Sequence, residues 1–471
     1  MSTPMMTVNQ VSQWLIGSRL HGDGSIGVQR VHTDTRTIEP GDLFVALRGE
    51  RYDANAFLQE AQQRGAVAAI CHADADRSGV GSMACIEVAD TRLALGQLAS
   101  AWRARFTLPL IAVTGSNGKT TVTQMLASIL AAHCPDGGSL ATRGNFNNDI
   151  GVPLTLLRLR PEHRMAVIEL GMNHPGEIAT LAAMAQPQVA LVNNAQREHM
   201  EFMHTVQAVA MENGTVIAPV AADGAVVVPS DDEFTPLWRT LAGPRRVVTF
   251  AMAGASTGDT AVCVQANWSA GAWQVHARAM GHDLQFRLAI AGRHNVKNAL
   301  AAAAAALAAG VSAQAVVEGL QRFVPVKGRS RALLLAVQGQ DVSVVDDTYN
   351  ANPDSVRAAI DVLADLPGPR ILVLGDMGEV GQEGPQFHAE AGRYAKDRGI
   401  EQLLTVGEMA HIAANTFEGA HHFETAEALI DFLTDALPRQ RSVLVKGSRF
   451  MRMERVVDAL TEKFSGVHPC C

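Results

Sequence analysis

Short apolar runs that end in polar residues recur along the chain, and helical stretches separate them. Three of these runs, in the middle of the chain, end at Thr114, Glu169 and Asn193. Continuous apolar runs are typical of parallel strands that are buried on both faces. Ligands of an open parallel sheet bind beyond the carboxyl ends of its strands, so we expect these three ends to meet in one crevice.

The same alternation of runs and helices occurs on either side of the central region. Residues 1–106 are predicted to hold strands at 42–47, 67–71 and 84–88 and a helix at 91–105. Beyond a proline-containing boundary at 322–328, strands are predicted at 342–345, 371–374, 403–406 and 443–445. We therefore predict an α/β protein with three domains: a small N-terminal α/β module (1–106), a central P-loop-type domain (107–324) and a C-terminal doubly wound, Rossmann-like domain (325–471).

A different pattern interrupts the central domain. The stretches 261–268, 273–280 and 283–290 alternate between apolar and polar residues, as half-exposed antiparallel strands do. We predict an inserted ribbon or small sheet within a mostly parallel domain. The alanine-rich stretch 298–309 follows it and is predicted to be a helix, since alanine has the highest helix propensity.

Residues 111–121 read Ile-Ala-Val-Thr-Gly-Ser-Asn-Gly-Lys-Thr-Thr and join an apolar strand to a glycine-containing turn. The glycines let backbone amides approach phosphate oxygens, Lys119 adds a mobile positive charge, and a threonine hydroxyl can bind Mg²⁺. The turn is shorter than the general P-loop, because Val113 occupies the position of its first glycine. We predict a nucleoside triphosphate site, with Lys119 exposed on the turn. Its candidate residues are Thr114, Gly115, Ser116, Asn117, Gly118, Lys119, Thr120 and Thr121.

Composition limits the partners of the chain. The formal net charge of −8, with no lysine- or arginine-rich block, argues against nucleic acid as a partner. The first twenty residues lack the order of a signal peptide, and the longest apolar run, 299–311, is too short to span a bilayer. The six cysteines form no C-x-x-C pair, which disfavours a structural metal site, and Cys470 and Cys471 are expected in an exposed tail. We expect a cytoplasmic protein that acts as a monomer.

Two side chains are candidates for metal ligands near the phosphate turn. Glu169 belongs to an apolar strand, where an ionised carboxylate is costly to bury unless a cation compensates it. A metal ion would do so, and an ion pair with an arginine is the alternative. His199 follows the next strand and is the natural second ligand; the alternative is a hydrogen-bonded structural histidine.

Seven segments together resemble the Mur ligases of peptidoglycan synthesis. They lie at 114–121, 144–154, 169–178, 292–299, 346–355, 374–379 and 445–449. The resemblance runs from about residue 32 to residue 454. The segments Tyr-Asn-Ala-Asn-Pro (349–353) and Gly-Asp-Met-Gly-Glu (375–379) are specific to the branch of the family that uses D-alanyl-D-alanine.

The resemblance implies an ATP-dependent amide ligase. The terminal carboxylate of UDP-N-acetylmuramoyl-tripeptide would take the γ-phosphoryl group, and the amine of D-alanyl-D-alanine would then displace phosphate from the acyl phosphate. Catalytic roles would fall to Lys119, Glu169 and His199. The family uses two magnesium ions, of which Thr120 and Glu169 would hold one and His199 would help to hold the other. The third peptide residue is left open between diaminopimelate and lysine.

The resemblance also implies the remaining ligand contacts. Asn295 would contact adenine, Asp347 and Arg329 would contact ribose or phosphate, and Tyr349 would stack on the base. Helix capping is the alternative role for Asn295, and the alternative for Arg329 is a solvated interdomain arginine. The UDP-sugar would contact the N-terminal module at Thr35 and Arg36. The other expected substrate contacts are Asn350, Asn352, Asp376, Glu379, Lys446 and Ser448.

Two segments depart from the family pattern. Related ligases often carry a lysine fourteen residues after the metal-binding histidine, modified to a carbamate that bridges the ions. Asn213 stands at that position here; either the neighbouring carboxylate of Glu212 substitutes for the carbamate, or the second ion is held in another way. The segment 53–57 lacks the Gly-His pair that usually follows its aspartate.

Two other functions share the phosphate turn. One is a different ligase of the same superfamily, such as folylpolyglutamate synthetase or the ligase that adds the third amino acid. The other is a P-loop switch or motor that couples ATP hydrolysis to partner binding. A switch or motor has no use for a UDP-sugar module, which favours a ligase.

Overall fold

The computed structural model describes residues 3–49, 52–254, 258–269, 271–464 and 468–469. Cys470 and Cys471 lie outside these residues. In the described part of the chain, the strands form three main sheets that are covered by helices, which confirms the predicted α/β class. None of the described helices is both long and apolar enough to cross a membrane.

The N-terminal sheet is mostly parallel, in the order β2-β7-β6-β5-β4, with β2 antiparallel to β7 and β1 paired separately with β3. Its region contains β1 (Met6–Thr7), α1 (Val8–Trp14), β2 (Arg19–His21), β3 (Gly27–Val28), β4 (Arg30–His32), β5 (Asp42–Val45), α2 (Leu58–Gln63), β6 (Ala68–His72), β7 (Ala84–Val88) and α3 (Thr91–Arg103). Helix α3 ties this sheet to the next region, because Trp102 Nε1 donates to the carbonyl of Leu159 at 3.1 Å.

The central sheet has the order β16-β15-β14-β13-β12-β11-β8-β10-β9 and is parallel from β9 to β14. Its strands are β8 (Leu110–Thr114), β9 (Ser139–Ala141), β10 (Met165–Glu169), β11 (Val189–Val192), β12 (Ala225–Pro229), β13 (Arg246–Ala251), β14 (Thr260–Ser269), β15 (Ala272–Ala279) and β16 (His282–Leu288). Its helices are α4 (Lys119–His133), α5 (Gly151–Leu156), α6 (Glu177–Ala185), α7 (Met200–Met203), α8 (Val206–Gly214), α9 (Thr235–Ala242), α10 (Arg293–Ala308) and α11 (Ala313–Arg322).

The antiparallel strands β14 to β16 are present, but they do not form a separate small sheet. Strand β14 pairs in parallel with β13, so the three strands extend the central sheet. Their apolar face joins the core beneath the alanine-rich helix α10, where Val275, Leu284 and Phe286 are buried. Extending the central sheet places most of this face against the core beneath α10, which a separate small sheet would leave exposed. Helix α10 also begins at Arg293, five residues before the predicted start.

The C-terminal sheet has the order β21-β20-β19-β22-β18-β17-β23. Its region contains β17 (Arg331–Val337), β18 (Gln340–Asp347), α12 (Pro353–Ala364), β19 (Arg370–Gly375), α13 (Gly384–Asp397), β20 (Gln402–Val406), α14 (Ala410–Asn415), β21 (His421–Phe423), α15 (Ala426–Ala436), β22 (Ser442–Lys446), α16 (Glu454–Lys463) and β23 (His468–Pro469). The four predicted strands are present and parallel, whereas β17 was not predicted. It forms a hairpin with β18 through Gln338 and Gly339, which both have positive φ, as a tight two-residue hairpin turn requires.

Candidate active site

The carboxyl ends of β8, β10 and β11 lie beside a cavity of about 1150 Å³. Glu169 and Asn193 line the cavity, as the strand pattern predicts, whereas Thr114 is fully buried and does not line it. The lining also includes Arg92 from the N-terminal helix α3 and Tyr349 from the C-terminal region. The cavity therefore draws its polar groups from all three regions of the chain.

The phosphate turn connects β8 to α4 with the backbone that its glycines require. Gly115 and Gly118 have φ values of 130° and 81°. A Cβ atom on Gly118 would lie 2.7 Å from side-chain atoms of Asn193 and Asn298, so a larger residue would also be excluded by contact. The turn residues that line the cavity are Ser116, Asn117, Gly118, Lys119, Thr120 and Thr121.

The first two residues of the turn contact α8 and do not line the cavity. Thr114 Oγ1 donates to Asn213 Oδ1 at 2.7 Å, and the Gly115 amide donates to the same oxygen at 3.1 Å. Asn213 thus anchors the turn. Its neighbour Glu212 accepts a hydrogen bond from the amide of Ile178, near the start of α6, and does not line the cavity. The suggested replacement of a bridging carbamate by Glu212 is therefore not supported by its position.

Four asparagines connect the phosphate turn to α10, and we refer to Asn117, Asn193, Asn298 and Asn295 as the asparagine chain. Asn193 Nδ2 donates to the Asn117 carbonyl at 2.8 Å and to Asn298 Oδ1 at 3.0 Å. Asn298 Nδ2 donates in turn to Asn295 Oδ1 at 2.9 Å. Asn295 does not cap α10, whose N-cap is Gly292, so the capping alternative is wrong. Asn295 lines the cavity.

Lys119 is folded back onto the turn. Its Nζ donates to the carbonyls of Gly115 and Ser116 at 2.6 and 3.0 Å and to Glu198 Oε1 at 2.8 Å. The side chain is only 13 % exposed, so the expectation of an exposed turn charge is wrong. A buried ammonium is retained because a carboxylate compensates its charge.

Glu169 is almost completely buried at the end of β10. Its Oε1 accepts hydrogen bonds from Thr120 Oγ1 at 3.1 Å and from Asn147 Nδ2 at 2.8 Å. Its Oε2 is buried and has no hydrogen-bond partner among the described residues. Within that part of the chain no arginine forms an ion pair with Glu169, so the arginine alternative is not observed. The nearest arginine contact is indirect, because Arg329 Nη2 donates to Thr120 Oγ1 at 3.3 Å.

His199 lies between two carboxylates. Its Nε2 is 3.5 Å from Glu198 Oε1, and its Nδ1 is 2.6 Å from Glu379 Oε2 of the C-terminal region. Burial disfavours the imidazolium, but the two carboxylates outweigh burial and raise the pKa of His199 to about 9. The residue has a φ of 51°, a strained backbone conformation that is frequent at functional sites.

These groups fit a hard divalent cation. Magnesium prefers oxygen ligands, and Glu169 and Glu198 each present a buried oxygen that lacks a partner in the described structure. Thr120 offers a hydroxyl beside Glu169. Among the described residues, no three His, Cys, Asp or Glu side chains are gathered into a complete metal site. A cation here would therefore take part of its coordination from phosphate or water.

The C-terminal region contributes a second charged cluster. Lys446 Nζ binds Asp347 Oδ2 at 2.6 Å and the carbonyl of Asn350 at 2.9 Å. Burial opposes ionisation of Asp347, yet Lys446 holds the pKa of this carboxyl below its ordinary value. The Arg329 guanidinium lies 3.8 Å from the centroid of the Tyr349 ring, so a cation already stacks on one face of that ring. All five residues line the cavity.

The remaining predicted substrate residues divide into two groups. Asn352, Glu379 and Ser448 line the cavity, and Asn352 Nδ2 donates across the domain boundary to Asn117 Oδ1 at 2.9 Å. Asp376 lies outside the lining; its carboxylate accepts the amides of Met409 and Ala410 at the start of α14.

Thr35 and Arg36 also lie outside the cavity lining, in a short 3₁₀ turn of the N-terminal module. The Arg36 guanidinium binds the Asp34 carboxylate and lowers the pKa of that group to about 2. Among the described residues of this module, Arg92 lines the cavity; it was not predicted, and it forms an ion pair with Asp149 at 2.8 Å.

Two further residues of the site were not predicted from the sequence. Glu198 lines the cavity, and Arg197 connects the central and C-terminal regions. Arg197 Nη2 lies 2.7 Å from Asp354 Oδ1, and its Nη1 lies 2.9 Å from Glu390 Oε2. The signal was present as Arg-Glu-His, three consecutive ionisable residues in the loop that follows the buried strand β11. We refer to Arg197, Asp354 and Glu390 as the interdomain ion cluster.

Known protein families match three successive segments of the chain, one in each of the regions described above. Family models match residues 27–103 (Mur ligase family, catalytic domain), 113–306 (Mur ligase middle domain) and 330–449 (Mur ligase, glutamate ligase domain). The UDP-N-acetylmuramoyl-tripeptide–D-alanyl-D-alanine ligase of Escherichia coli (strain K12) is 39 % identical over 459 residues, covering 97 % of this chain and 98 % of that protein. The enzyme of the same name from Haemophilus influenzae is 36 % identical, covering 95 % and 97 %.

Solved structures show the same relationship. A crystal structure of MurF from Acinetobacter baumannii has a TM-score of 0.88 and 36 % identity, covering 97 % of this chain and 99 % of that one. MurF ligase from Thermotoga maritima in complex with ADP has a TM-score of 0.79 at 24 % identity, covering 93 % and 98 %, and supports the fold. The chain is thus an ATP-using ligase by family, and it belongs to the Mur ligases.

Proposed function

We propose that this chain joins D-alanyl-D-alanine to UDP-N-acetylmuramoyl-tripeptide at the expense of ATP. The observation that carries the proposal is the composition of the cavity. The phosphate turn, Glu169 and His199 of the central region face Asp347 and Lys446 of the C-terminal region across one polar space. Relatives that carry this activity in their names match the chain over nearly its whole length.

The first step transfers the γ-phosphoryl group to the tripeptide carboxylate. Two anions must approach each other, so the site has to neutralise charge and align the groups. Lys119 supplies a positive charge at the turn, once it exchanges its present acceptors for phosphate oxygens. Magnesium, when bound, stabilises the charge on the phosphates, and Thr120, Glu169 and His199 are the residues that would hold it.

In the second step the deprotonated amine of D-alanyl-D-alanine attacks the carbonyl carbon of the acyl phosphate: the amide C–N bond forms, the C–O bond to phosphate breaks, inorganic phosphate leaves, and the proton lost by the amine passes to solvent. The dipeptide is zwitterionic and needs an anionic group near its amine and a cationic group near its carboxylate. Glu379, whose side chain is 44 % exposed, and Arg449 both line the cavity from the C-terminal region. We assign the amine to the side of Glu379 and the carboxylate to the side of Arg449. Exclusion of water by the docked regions protects the acyl phosphate from hydrolysis.

A substrate panel tests this function. Purified protein is incubated with ATP, Mg²⁺ and UDP-N-acetylmuramoyl-tripeptide, and phosphate release is measured with D-alanyl-D-alanine or with single amino acids. The proposal requires product with the dipeptide and little turnover with any single amino acid. Equal turnover with a single amino acid would indicate a sibling ligase. Full ATP hydrolysis without a carboxylate acceptor would instead indicate a switch or motor.

Separate panels with diaminopimelate and lysine in the tripeptide establish the preferred third residue. We further propose that the enzyme acts in the cytoplasm, where ATP is available, and as a monomer, because the cavity is built from one chain. Sedimentation of the purified protein tests the second point: a concentration-independent dimer would refute it.

A further inference from the structure

The carboxylate of Glu198 has no role in the two reaction steps described above. It follows β11 in the cavity wall, and its side chain is only 10 % exposed. Its Oε1 contacts Lys119 Nζ at 2.8 Å, whereas its Oε2 is buried without a hydrogen-bond partner in the described structure. A buried carboxylate oxygen without a partner is costly, so a ligand for it is expected.

We propose that Lys119 masks Glu198 in the ligand-free protein, and that Glu198 becomes a ligand of the divalent cation when nucleotide phosphates draw Lys119 away. This inference rests on the proposed function and adds a residue to it. Three acceptors now hold the Lys119 ammonium: two turn carbonyls and Glu198. An ammonium has three protons to donate, so a phosphate oxygen has to replace one of these acceptors.

Of these three acceptors, Glu198 is the one most destabilised when Lys119 moves away, because it is charged and the two carbonyls are neutral. Without Lys119, Glu198 and Glu379 would share the single positive charge of His199, whose ring lies 3.5 Å from Glu198 Oε1, so one of the two negative charges would lack a cationic partner among the described residues. An uncompensated buried charge is strongly unfavourable, and a cation at the same place removes the penalty. The Glu198 carboxylate would then be available to a divalent ion, which prefers carboxylate oxygens.

The other residues considered as ligands of the second ion are less suited to this role. Glu212 is engaged by the Ile178 amide, and Asn213 is a neutral side chain that holds the turn. Glu379 contacts the opposite ring nitrogen of His199 from the C-terminal region. Glu198 therefore adds a second carboxylate to that of Glu169 on the central side of the site, at the position where Lys119 now lies.

The test compares Glu198→Gln with Glu201→Gln, a matched loss of one carboxylate from an exposed residue of α7. Mn²⁺ binding is measured by electron paramagnetic resonance with saturating β,γ-imido-ATP, and nucleotide binding is measured by calorimetry in EDTA. We expect Glu198→Gln to weaken Mn²⁺ binding at least about tenfold while metal-free nucleotide binds as well as, or better than, to the wild type. Glu201→Gln should match the wild type in both measurements.

A second variant tests the masking itself. In Lys119→Met the carboxylate is uncovered, so Mn²⁺ should bind to the nucleotide-free protein about tenfold more tightly than to the wild type, and adding Glu198→Gln should remove this gain. Circular dichroism confirms that each variant is folded.

Wild-type Mn²⁺ affinity in Glu198→Gln, or no gain in Lys119→Met, would overturn the inference and leave the proposed function in place. A wild-type protein that binds no nucleotide would overturn both.

Discussion

Replacing Arg197 by alanine should loosen the docking of the C-terminal region on the central region. The Arg197 guanidinium forms ion pairs with Asp354 and Glu390, and the backbone amide of Arg197 donates to Asp354 Oδ2 at 2.8 Å. The three side chains are 22 to 27 % exposed, so the cluster lies between a surface pair and a buried one.

The expected magnitude follows from that intermediate burial. Exposed ion pairs contribute roughly 0.2–1 kcal/mol, and removing one partner of a buried pair costs about 3–5 kcal/mol. Glu390 keeps a second cation, because Arg357 remains 3.0 Å away. We therefore expect a loss of about 2 kcal/mol, which corresponds to roughly a thirtyfold shift toward the undocked state.

Hydrogen exchange of the Glu201 amide measures this equilibrium. That amide donates across the boundary to the carbonyl of Glu379 at 3.4 Å, so its exchange reports undocking. It should exchange roughly thirtyfold faster in Arg197→Ala. Arg357→Ala is the control, because it removes a pair that lies wholly within the C-terminal region. Exchange within twofold of wild type in Arg197→Ala would refute the assigned role of the interdomain ion cluster.

Three other perturbations give direct tests. Lys119→Ala should lower product formation by more than about a hundredfold, because a charge that stabilises the transferring phosphoryl group is lost, and retained turnover in a phosphate-release assay would contradict its role. Glu169→Gln should raise the magnesium concentration for half-maximal activity by about tenfold; an unchanged magnesium dependence would remove it from the metal site. The Arg197 guanidinium lowers the pKa of Glu390 below its ordinary 4.5, so this pair stabilises docking above that pH and its contribution is lost as the pH falls through the lower, folded-state pKa. The radius of gyration from small-angle scattering should therefore rise on acidification below about pH 4.5 in the wild type and less in Arg197→Ala; identical pH profiles would contradict the assignment.

The chemistry that lies within one segment could be predicted from the sequence. The phosphate turn has its glycines, lysine and threonines in consecutive positions, and the apolar runs before Glu169 and Asn193 fix the sheet edge at which they meet. Parallel strands bring their carboxyl ends together by geometry, so no knowledge of side-chain packing was needed for that part of the site.

The contacts between distant segments could not be predicted in this way. Lys119 and Glu198 are 79 positions apart, and their ion pair depends on how two loops pack. The sequence around Lys119 would be the same whether its ammonium were exposed or paired with Glu198. Strand β17 has a local signal, an apolar run followed by Gln338 and Gly339, but its hairpin with β18 requires a positive φ at both turn residues, which glutamine seldom adopts.

The asparagine chain has a consequence for the order of binding events. It links the phosphate turn to the start of α10 by hydrogen bonds that stay within the central region. The buried alanines of α10 hold that helix close against the sheet, where larger side chains would not fit. The distance between the phosphate turn and the start of α10 is therefore set within the central region, independently of how the C-terminal region docks, so a ligand that contacts both can bind before that region closes over it.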